Sequence, residues 1–372
     1  MRDVIGHDRG YLPALDGLRG VAILLVLGQH APTRPLIDGF VGVTVFFCLS
    51  GYLITTLLLR ELETGTIGFR AFYRRRVARL GPGLAAVVLV TAVVVLIARP
   101  DLRVGQVFGS AGAALSYTTS LFDWSHHPFA TGDYFNYTWT LSIEEQFYLL
   151  WPLALLWGFR RGPRVLAGVT AALIGITLSL NLYLGLSRAV KYDPHEYFGT
   201  DTNALPILVG AMLAIALHQR WFSRVLELLA PAALPALLLL PPLGYWNQRF
   251  HPSLVIVYGT VLAALALIGV LVAPDSAAAK LLSVEPLRWL GERSYSIYLW
   301  NVLARAAAIN VFGHDLVGDI FWTAMFLVLA EASYRYVEQP LRAKLRPAGS
   351  SRPSPAPPAA GSRSPAPRSG TS

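Results

Sequence analysis

The segment DGLRGVAILLVLGQHA, residues 16–31, places ionisable side chains at both ends of one apolar run. On an α-helix, Asp16, Arg19 and His30 share one face, because residues three or eleven positions apart point in nearly the same direction. Along the axis they spread over roughly 20 Å, at about 1.5 Å per residue. Ionisable groups in an apolar span usually face a protein interior or a wet cavity, so this stripe is a candidate functional site. The structural alternative is an interfacial position with long side chains reaching water.

A second polar group lies in YTWTLSIEEQFYLLWP, residues 137–152, where Glu144 and Glu145 stand beside Ser142 and Gln146. Consecutive helical residues point about 100° apart, so only one of the two carboxylates can face a given cavity. Both are predicted near the outer end of their helix, at the depth of the histidine in the first segment. A carboxylate beside a histidine is the usual arrangement of a general base with its orienting partner. The alternative is a helix N-terminus whose dipole favours acidic side chains.

The segment FYRRRVARL, residues 72–80, concentrates arginines at the start of another apolar run. Arg76 and Arg79 are three positions apart and share a helix face. Guanidinium groups bind phosphates through paired hydrogen bonds, so the pair is a candidate phosphate site. The alternative is that the cluster anchors its helix to the inner leaflet and sets its orientation.

The composition indicates that membrane-spanning helices must position these groups. Of the 372 residues, 54% are hydrophobic and 14% are charged, whereas soluble proteins carry about 25% charged residues. Long apolar runs recur throughout, which is typical of a polytopic helical membrane protein. The single cysteine, Cys48, excludes an intrachain disulfide and a multi-cysteine metal site. The net charge of +9 resides in short loops and the tail, which is the positive-inside pattern rather than a nucleic-acid footprint.

We predict an all-α fold of about ten transmembrane helices with both termini cytoplasmic. The predicted spans lie near residues 17–34, 40–60, 82–99, 138–158, 165–186, 203–218, 226–246, 253–273, 292–312 and 317–338. The stretch 105–121 is short and rich in small and polar residues. If it crossed the membrane, the basic loops FYRRRVARL and FRRGPR would face opposite sides. We therefore predict that it is re-entrant or interfacial, which leaves both loops cytoplasmic.

The predicted membrane domain covers residues 1–342. The remainder, 343–372, is rich in Pro, Ser and Arg and is predicted to be a disordered cytoplasmic tail.

Six segments, in order along residues 11–342, resemble signatures of the acyltransferase-3 family of bacterial integral-membrane O-acyltransferases. They are YLPALDGLRGVAILLVLGQH, GVTVFFCLSGYLIT, FYRRRVARLGP, WTLSIEEQFYLLWP, GERSYSIYLWN and SYRYVEQPL. The resemblance does not extend to the periplasmic hydrolase-like domain of some long family members, so we expect this chain to act without one of its own.

The resemblance implies a multi-pass protein of the bacterial plasma membrane that passes an acyl group, commonly acetyl, from cytoplasmic acyl-CoA to a carbohydrate hydroxyl. The acceptor is a cell-envelope glycan or the sugar of a secondary metabolite. The essential histidine and arginine of the family correspond to His30 and Arg19, its recurring glutamate to Glu144, and its arginine pair to Arg76 and Arg79. We expect His30 to act as a base or a transient acyl carrier, Glu144 to orient it, Arg19 to stabilise negative charge, and the arginine pair to hold CoA.

The supporting residues are less specific. Asp16, Ser142 and Gln146 are expected near the site. Asn203 and Asn301 stand where the family often has arginine and histidine, respectively, which bears on the acceptor. Acyl-CoA, most simply acetyl-CoA, is a substrate here; neither a permanently bound cofactor nor a metal is expected.

Two other functions fit the same sequence. A non-enzymatic carrier or exporter of acyl or sugar groups would need a polar stripe but no base. A membrane sensor would use the basic tail to recruit a protein partner.

Overall fold

The computed structural model describes residues 11–33, 39–65, 67–99, 104–124, 135–187, 193–246 and 251–345. Within these ranges the chain forms helices and no β-strand, which confirms the all-α prediction. The α-helices are α1 (Pro13–His30), α2 (Phe40–Glu63), α3 (Phe69–Ala98), α4 (Val104–Leu115), α5 (Thr119–Trp124), α6 (Trp139–Arg161), α7 (Pro163–Ser187), α8 (Pro194–Phe198), α9 (Thr200–His218), α10 (Ser223–Leu229), α11 (Ala233–Trp246), α12 (Pro252–Val272), α13 (Ala277–Leu282), α14 (Glu285–Phe312), α15 (Leu316–Ala332) and α16 (Gln339–Leu345).

Helices occupy all ten predicted spans. Among the described residues, seven helical segments are long and apolar enough to cross a membrane. The other three predicted spans correspond to α1, α6 and α14, which contain 18, 23 and 28 residues and carry the charged groups of the sequence motifs. At about 1.5 Å per residue they are about 27, 34 and 42 Å long, close to or above the hydrocarbon thickness of about 30 Å. The fold is that of a polytopic membrane protein, and the number of crossings stays a prediction.

Helices α2 and α6 run parallel to each other. Ser50 of α2 contacts Glu144 of α6, and further along both helices Thr55 contacts Trp151. Helix α3 runs in the opposite direction to α2 and brings the chain back to the side where α2 began. Because α6 runs in the same direction as α2, it starts on that side too. The stretch 105–121, which lies between α3 and α6, therefore makes no full crossing. That stretch instead forms the short helices α4 and α5, and α4, with 12 residues, is only about 18 Å long. The arrangement agrees with the predicted re-entrant or interfacial position.

Helices α1 and α14 are also parallel and pack with their backbones in close approach. Arg19 of α1 contacts Ser294 of α14 near the start of both helices, and beyond their other ends His314 donates to the Pro32 carbonyl at 2.6 Å. A Cβ atom added to Gly291 would lie 1.7 Å from the Asp16 carbonyl oxygen, so only glycine fits there. Small residues at helix interfaces permit this packing in membranes.

We call the side where α1, α3 and α14 begin and α15 ends the basic face, and the other side the opposite face. Arginines cluster on the basic face, as at Arg75, Arg164 and Arg288. By the positive-inside tendency this face is predicted to be cytoplasmic.

Helical structure continues past residue 342, the predicted end of the membrane domain. A π-helical turn, Ser333–Glu338, follows α15, and α16 then continues to Leu345, three residues past the predicted domain end. The predicted tail beyond that point, 346–372, lies outside the described residues.

Candidate active site

Four of the predicted site residues meet in one pocket between α1, α2, α3, α6 and α14. Arg19, Arg76, Arg79 and Glu144 all line this cavity, whose volume is about 90 Å³. We call it the inner pocket. Its other polar lining side chains are Ser50, Thr140, Tyr148, Ser294, Tyr295 and Tyr298. Three guanidinium groups face a single carboxylate, so the pocket carries an excess of positive charge that suits an anionic ligand.

Arg19 is held by the helix packed against it. Its Nε and Nη2 donate to the Ser294 hydroxyl at 3.3 and 3.0 Å, and Nε also donates to the Gly291 carbonyl at 3.3 Å. Both partners are uncharged, so the charge of Arg19 is positioned without being neutralised at these contacts. A fixed, unneutralised guanidinium suits a residue that stabilises negative charge on a ligand.

Arg76 and Arg79 reach the pocket from successive turns of α3. The Arg76 guanidinium lies 4.6 Å from the Tyr148 ring centroid and 5.6 Å from that of Phe72, within cation–π range. In the part of the chain that the structure describes, the Arg79 side chain makes no hydrogen bond or ion pair. The hydrogen-bond donors of both side chains are therefore available to a phosphate or other anion.

Glu144 accepts a hydrogen bond from the Ser50 hydroxyl at 2.6 Å, and the Tyr148 hydroxyl donates to the same Ser50 oxygen at 3.2 Å. This chain ties α6 to α2 at the pocket wall. Glu145, one residue on, does not line the pocket. The helical geometry that allows only one of the two carboxylates to face a cavity accounts for the difference.

A wider cleft opens on the basic face and meets the inner pocket. Its volume is about 940 Å³, and Arg19, Arg79 and Tyr295 line both cavities. Charged side chains lining the cleft are Asp16, Arg19, Arg75, Arg79, Arg288, Glu292, Glu338 and Arg342. Arginines outnumber carboxylates there, so pocket and cleft form one predominantly basic route inward from the basic face.

Asp16 belongs to the mouth of this route. It lines the cleft and accepts a hydrogen bond from the Tyr11 hydroxyl. Its side chain is thus near the predicted site, at the entrance rather than in the inner pocket.

His30 lies apart from the inner pocket. It is eleven residues beyond Arg19, about 16 Å along the axis of α1, and it does not line the cavity. Its Nδ1–H donates to the Val26 carbonyl at 2.8 Å. A carbonyl only accepts, so this bond fixes the neutral tautomer whose Nε2 carries the lone pair.

The predicted pairing of Glu144 with His30 does not occur in the structure. Glu144 contacts Ser50 and lies in the pocket with Arg19, whereas His30 is oriented by a backbone carbonyl of its own helix. The prediction placed both groups at one depth because both stand near a helix end. The packing of α6 against α2 brings Glu144 opposite Ser50, ten residues into α2, and thus deeper than His30.

Two predicted supporting residues serve the fold rather than the pocket. Ser142 is buried and donates to the Thr138 carbonyl of the preceding turn at 3.3 Å. Gln146 joins two other helices, donating to Ser120 at 3.1 Å and accepting from Thr200 at 2.8 Å. Neither lines the inner pocket.

The two asparagines at positions of family departure are buried. Asn203 donates to the carbonyls of Tyr197 and Gly199 at 3.0 and 2.9 Å, which closes the start of α9. Asn301 donates to the Tyr298 carbonyl at 2.6 Å. Its Oδ1 is buried and has no hydrogen-bond partner in the described ranges.

Several pocket residues were not predicted as site residues. Tyr298 and Thr140 form a 2.7 Å hydrogen bond in the wall, and Tyr295 donates to the Leu80 carbonyl at 2.5 Å. A usable signal existed in GERSYSIYLWN, because Ser294 and Tyr298 are four residues apart and share a helix face.

The described residues contain no group of three His, Cys, Asp or Glu side chains that could hold a metal ion.

A helical membrane protein with a basic pocket opening into a basic cleft is suited to receive an anionic ligand from one side of the bilayer. The family model for the acyltransferase domain of acyltransferase-3 proteins matches residues 12–331. The chain therefore belongs to this family of membrane acyltransferases, as the six sequence segments predict.

Curated relatives are similar over most of this chain. It is 34% identical over 364 residues to YrhL of Bacillus subtilis, covering 90% of this chain and 55% of YrhL. It is 30% identical to the peptidoglycan O-acetyltransferase OatA of Listeria monocytogenes, covering 92% and 57% of the two chains. For the O-acetyltransferase OatA of Staphylococcus aureus the identity is 33%, covering 90% and 58%. The chain thus spans little more than half the length of these relatives. No solved structure matches it.

Proposed function

We propose that this chain is a multi-pass acyltransferase of the bacterial plasma membrane that moves an acetyl group from acetyl-CoA to a hydroxyl of a cell-envelope glycan. The observation that carries the proposal is the gathering of Arg19, Arg76 and Arg79 around one pocket that opens into an arginine-lined cleft. Guanidinium groups are well suited to phosphates. CoA carries its phosphates at one end of a thin thioester-bearing arm, a shape that suits a wide basic cleft leading into a narrow pocket.

The donor enters from the basic face in this proposal. Its phosphates bind in the cleft, where Arg75, Arg288 and Arg342 surround the entrance. Its arm passes Arg79 and Tyr295, which line both cavities, and the thioester continues along α1 toward the opposite face. Arg19, fixed by Ser294, lines both the cleft and the pocket, so its guanidinium binds a donor phosphate where the two cavities meet.

The acceptor approaches from the opposite face, where His30 serves as the general base. The Val26 carbonyl holds Nδ1–H, so Nε2 is free to take the proton of the acceptor hydroxyl. The same nitrogen could instead carry the acetyl group transiently. The two routes differ in an observable way, because only the second leaves the acetyl group on the protein before an acceptor is added.

Glu144 has a different role from the one that the sequence suggested. Its carboxylate lies among Arg19, Arg76 and Arg79, where it offsets part of their mutual repulsion and fixes Ser50 and Tyr148. We therefore assign it to the organisation of the donor pocket.

The acceptor class rests on the relatives. The Listeria monocytogenes relative is named a peptidoglycan O-acetyltransferase, and a glycan of the cell envelope is accessible from the face where His30 lies. The sugar of a glycosylated small molecule is the other acceptor class that the reaction allows. Either acceptor must present a hydroxyl to Nε2 of His30.

Purified full-length protein in nanodiscs, supplied with radiolabelled acetyl-CoA and peptidoglycan fragments, tests the proposal. We expect the wild type to label the glycan and His30→Ala to lose transfer by about 10³-fold or more, which is of the order reported for catalytic bases and nucleophiles. His218→Ala is the matched control, because His218 pairs with Glu63 on the basic face and lies outside the pocket. Equal turnover by the His30→Ala variant would contradict the base and carrier roles alike.

The carrier alternative makes the contrary prediction for the same assay. A carrier binds sugar or acyl donor but does not consume acetyl-CoA, whether peptidoglycan fragments or glycosylated small molecules are supplied as the acceptor. A folded wild type that binds acetyl-CoA but transfers nothing to either acceptor class would favour it.

A further inference from the structure

The parallel packing of α1 and α14 places Arg305 beside His30. Arg19 contacts Ser294 at the start of this helix pair, and eleven residues further along both helices stand His30 and Arg305. Beyond the far ends, His314 contacts Pro32, so the two helices keep their register. The charge of Arg305 is close enough to act on the His30 imidazole.

Arg305 has an unused hydrogen-bond donor in a buried position. Its Nε is shielded from solvent and has no hydrogen-bond partner within the described part of the chain. Among the described residues, no carboxylate forms an ion pair with it either. Leaving a buried charged donor unpaired is unfavourable, and native structures usually satisfy such groups. A buried guanidinium nitrogen without a partner, beside a candidate base, is therefore suited to a negative charge that exists only while substrate is present.

A polar stripe on α14 connects the inner pocket to this position. Ser294, Tyr298, Asn301 and Arg305 are spaced four, three and four residues apart, so they follow one face of the helix. The first two line the inner pocket. The last two each have a buried polar atom that finds no partner among the residues that the structure describes, Oδ1 of Asn301 and Nε of Arg305. The stripe thus leads from the donor pocket to His30.

We propose that Arg305 is a catalytic residue that stabilises the oxyanion formed during acyl transfer at His30. This inference rests on the proposed function and adds a residue to it. When the acceptor oxygen bonds to the acyl carbon, its proton passes to Nε2 of His30 and the carbonyl oxygen becomes negatively charged. Arg305 donates a hydrogen bond to that oxyanion. The intermediate then collapses, the carbon–sulfur bond breaks, and the CoA thiolate takes the proton from His30.

The role requires both a positive charge and hydrogen-bond donors at position 305. Arg305→Gln removes the charge while keeping a polar side chain of moderate length, and Arg305→Lys keeps the charge but loses the guanidinium fork. Arg99→Gln is the matched control, because Arg99 is an exposed arginine at the opposite-face end of α3. Thermal unfolding and equilibrium binding of acetyl-CoA establish that each variant is folded with a working donor pocket.

Initial rates of acetyl transfer are measured for wild type and variants while acetyl-CoA and peptidoglycan fragments are varied separately. We expect kcat to fall by about 10²- to 10³-fold in Arg305→Gln, the usual loss on removing one oxyanion donor, with the KM values nearly unchanged. Arg305→Lys is expected to retain an intermediate rate, and Arg99→Gln the wild-type rate.

Two results would overturn the assignment. One is a folded Arg305→Gln variant with kcat within twofold of wild type. The other is a variant whose only defect is a raised KM for the glycan, since Arg305 would then bind an anionic group of the acceptor rather than the oxyanion. An inactive wild type would instead contradict the proposed function itself, so the two failures are distinguishable. If Arg305→Gln does not fold, kcat of the Arg305→Lys variant is compared with that of the wild type by the same criteria.

Discussion

The Glu144 carboxylate accepts a 2.6 Å hydrogen bond from the Ser50 hydroxyl, in a pocket that also contains Arg19 but not His30. This contact separates the site into two parts along α1. The part near the basic face has the arginines suited to hold an anionic donor. The part near the opposite face has the imidazole with an available Nε2. The separation of about 16 Å between Arg19 and His30 along the helix axis suits a donor that enters on one side of the bilayer and an acceptor on the other.

Replacing Glu144 with Gln is expected to slow acetyl transfer by tenfold or more. The change removes the carboxylate that lines the inner pocket with three guanidinium groups and weakens the bond that fixes Ser50. Glu145→Gln is the matched control and should stay within about twofold of wild type, because Glu145 does not line the pocket. Steady-state rates with saturating acetyl-CoA provide the comparison, and equal losses in both variants would contradict the assignment.

Replacing Arg79 with Gln is expected to raise the KM for acetyl-CoA by about 10- to 100-fold, because a hydrogen bond to a charged group contributes about 1.5–3 kcal/mol. Arg79 lines both the cleft and the inner pocket, so it lies on the path of the donor. The exposed Arg164 on the same face supplies the control variant, Arg164→Gln. Isothermal titration with CoA lacking the acetyl group separates binding from chemistry. Unchanged CoA affinity in Arg79→Gln would contradict a donor role.

The Gly291→Ala substitution is expected to destabilise the protein. The new Cβ would lie 1.7 Å from the Asp16 carbonyl oxygen, which forces α1 away from α14 and disturbs both Arg19 and His30. Gly112→Ala is the control, because a Cβ at this position in α4 meets no atom within 4 Å. Thermal unfolding in detergent should show a clear decrease for the first variant and little change for the second. Equal unfolding temperatures would contradict the close packing of α1 on α14.

The topology predicts that positions 74 and 164 face the same side of the membrane. Position 74 lies near the start of α3 and position 164 near the start of α7. Because α2 and α6 are parallel, the stretch 105–121 does not cross the membrane fully, and both positions lie on the basic face. The substitutions Arg74→Cys and Arg164→Cys, each alone, can be labelled with a membrane-impermeant maleimide in sealed vesicles. Native Cys48 is buried, so the wild type should give little background. Labelling of the two sites from opposite sides would contradict this arrangement.

The sequence predicted the helices well because long apolar runs leave few alternatives in a bilayer. Arg19, Arg76 and Arg79 were selected from the sequence, and they lie in the inner pocket together with Glu144, which the sequence analysis had placed beside His30. Helical periodicity predicted that only one of Glu144 and Glu145 can face a cavity, and the family resemblance selected Glu144, which lines the inner pocket.

The relative depth of different helices was not available from the sequence. Glu144 lies near the start of α6. Because α6 packs on α2 with Glu144 against Ser50 and Trp151 against Thr55, Glu144 lies partway along α2 rather than at its outer end. Such offsets depend on side-chain packing between segments far apart in the chain. Arg305 was missed for a related reason: a lone arginine near a helix end resembles an interfacial anchor until the register of α1 and α14 places it beside His30.

Reconstitution into proteoliposomes tests whether donor and acceptor reach the site from opposite sides of the bilayer. The protein is reconstituted, its orientation is established by labelling Arg164→Cys, and radiolabelled acetyl-CoA is enclosed with the basic face while peptidoglycan fragments are added on the opposite face. We expect labelled glycan to accumulate outside while CoA stays inside, and we expect His30→Ala to abolish the product. Transfer that occurs only when donor and glycan share one compartment would contradict this expectation.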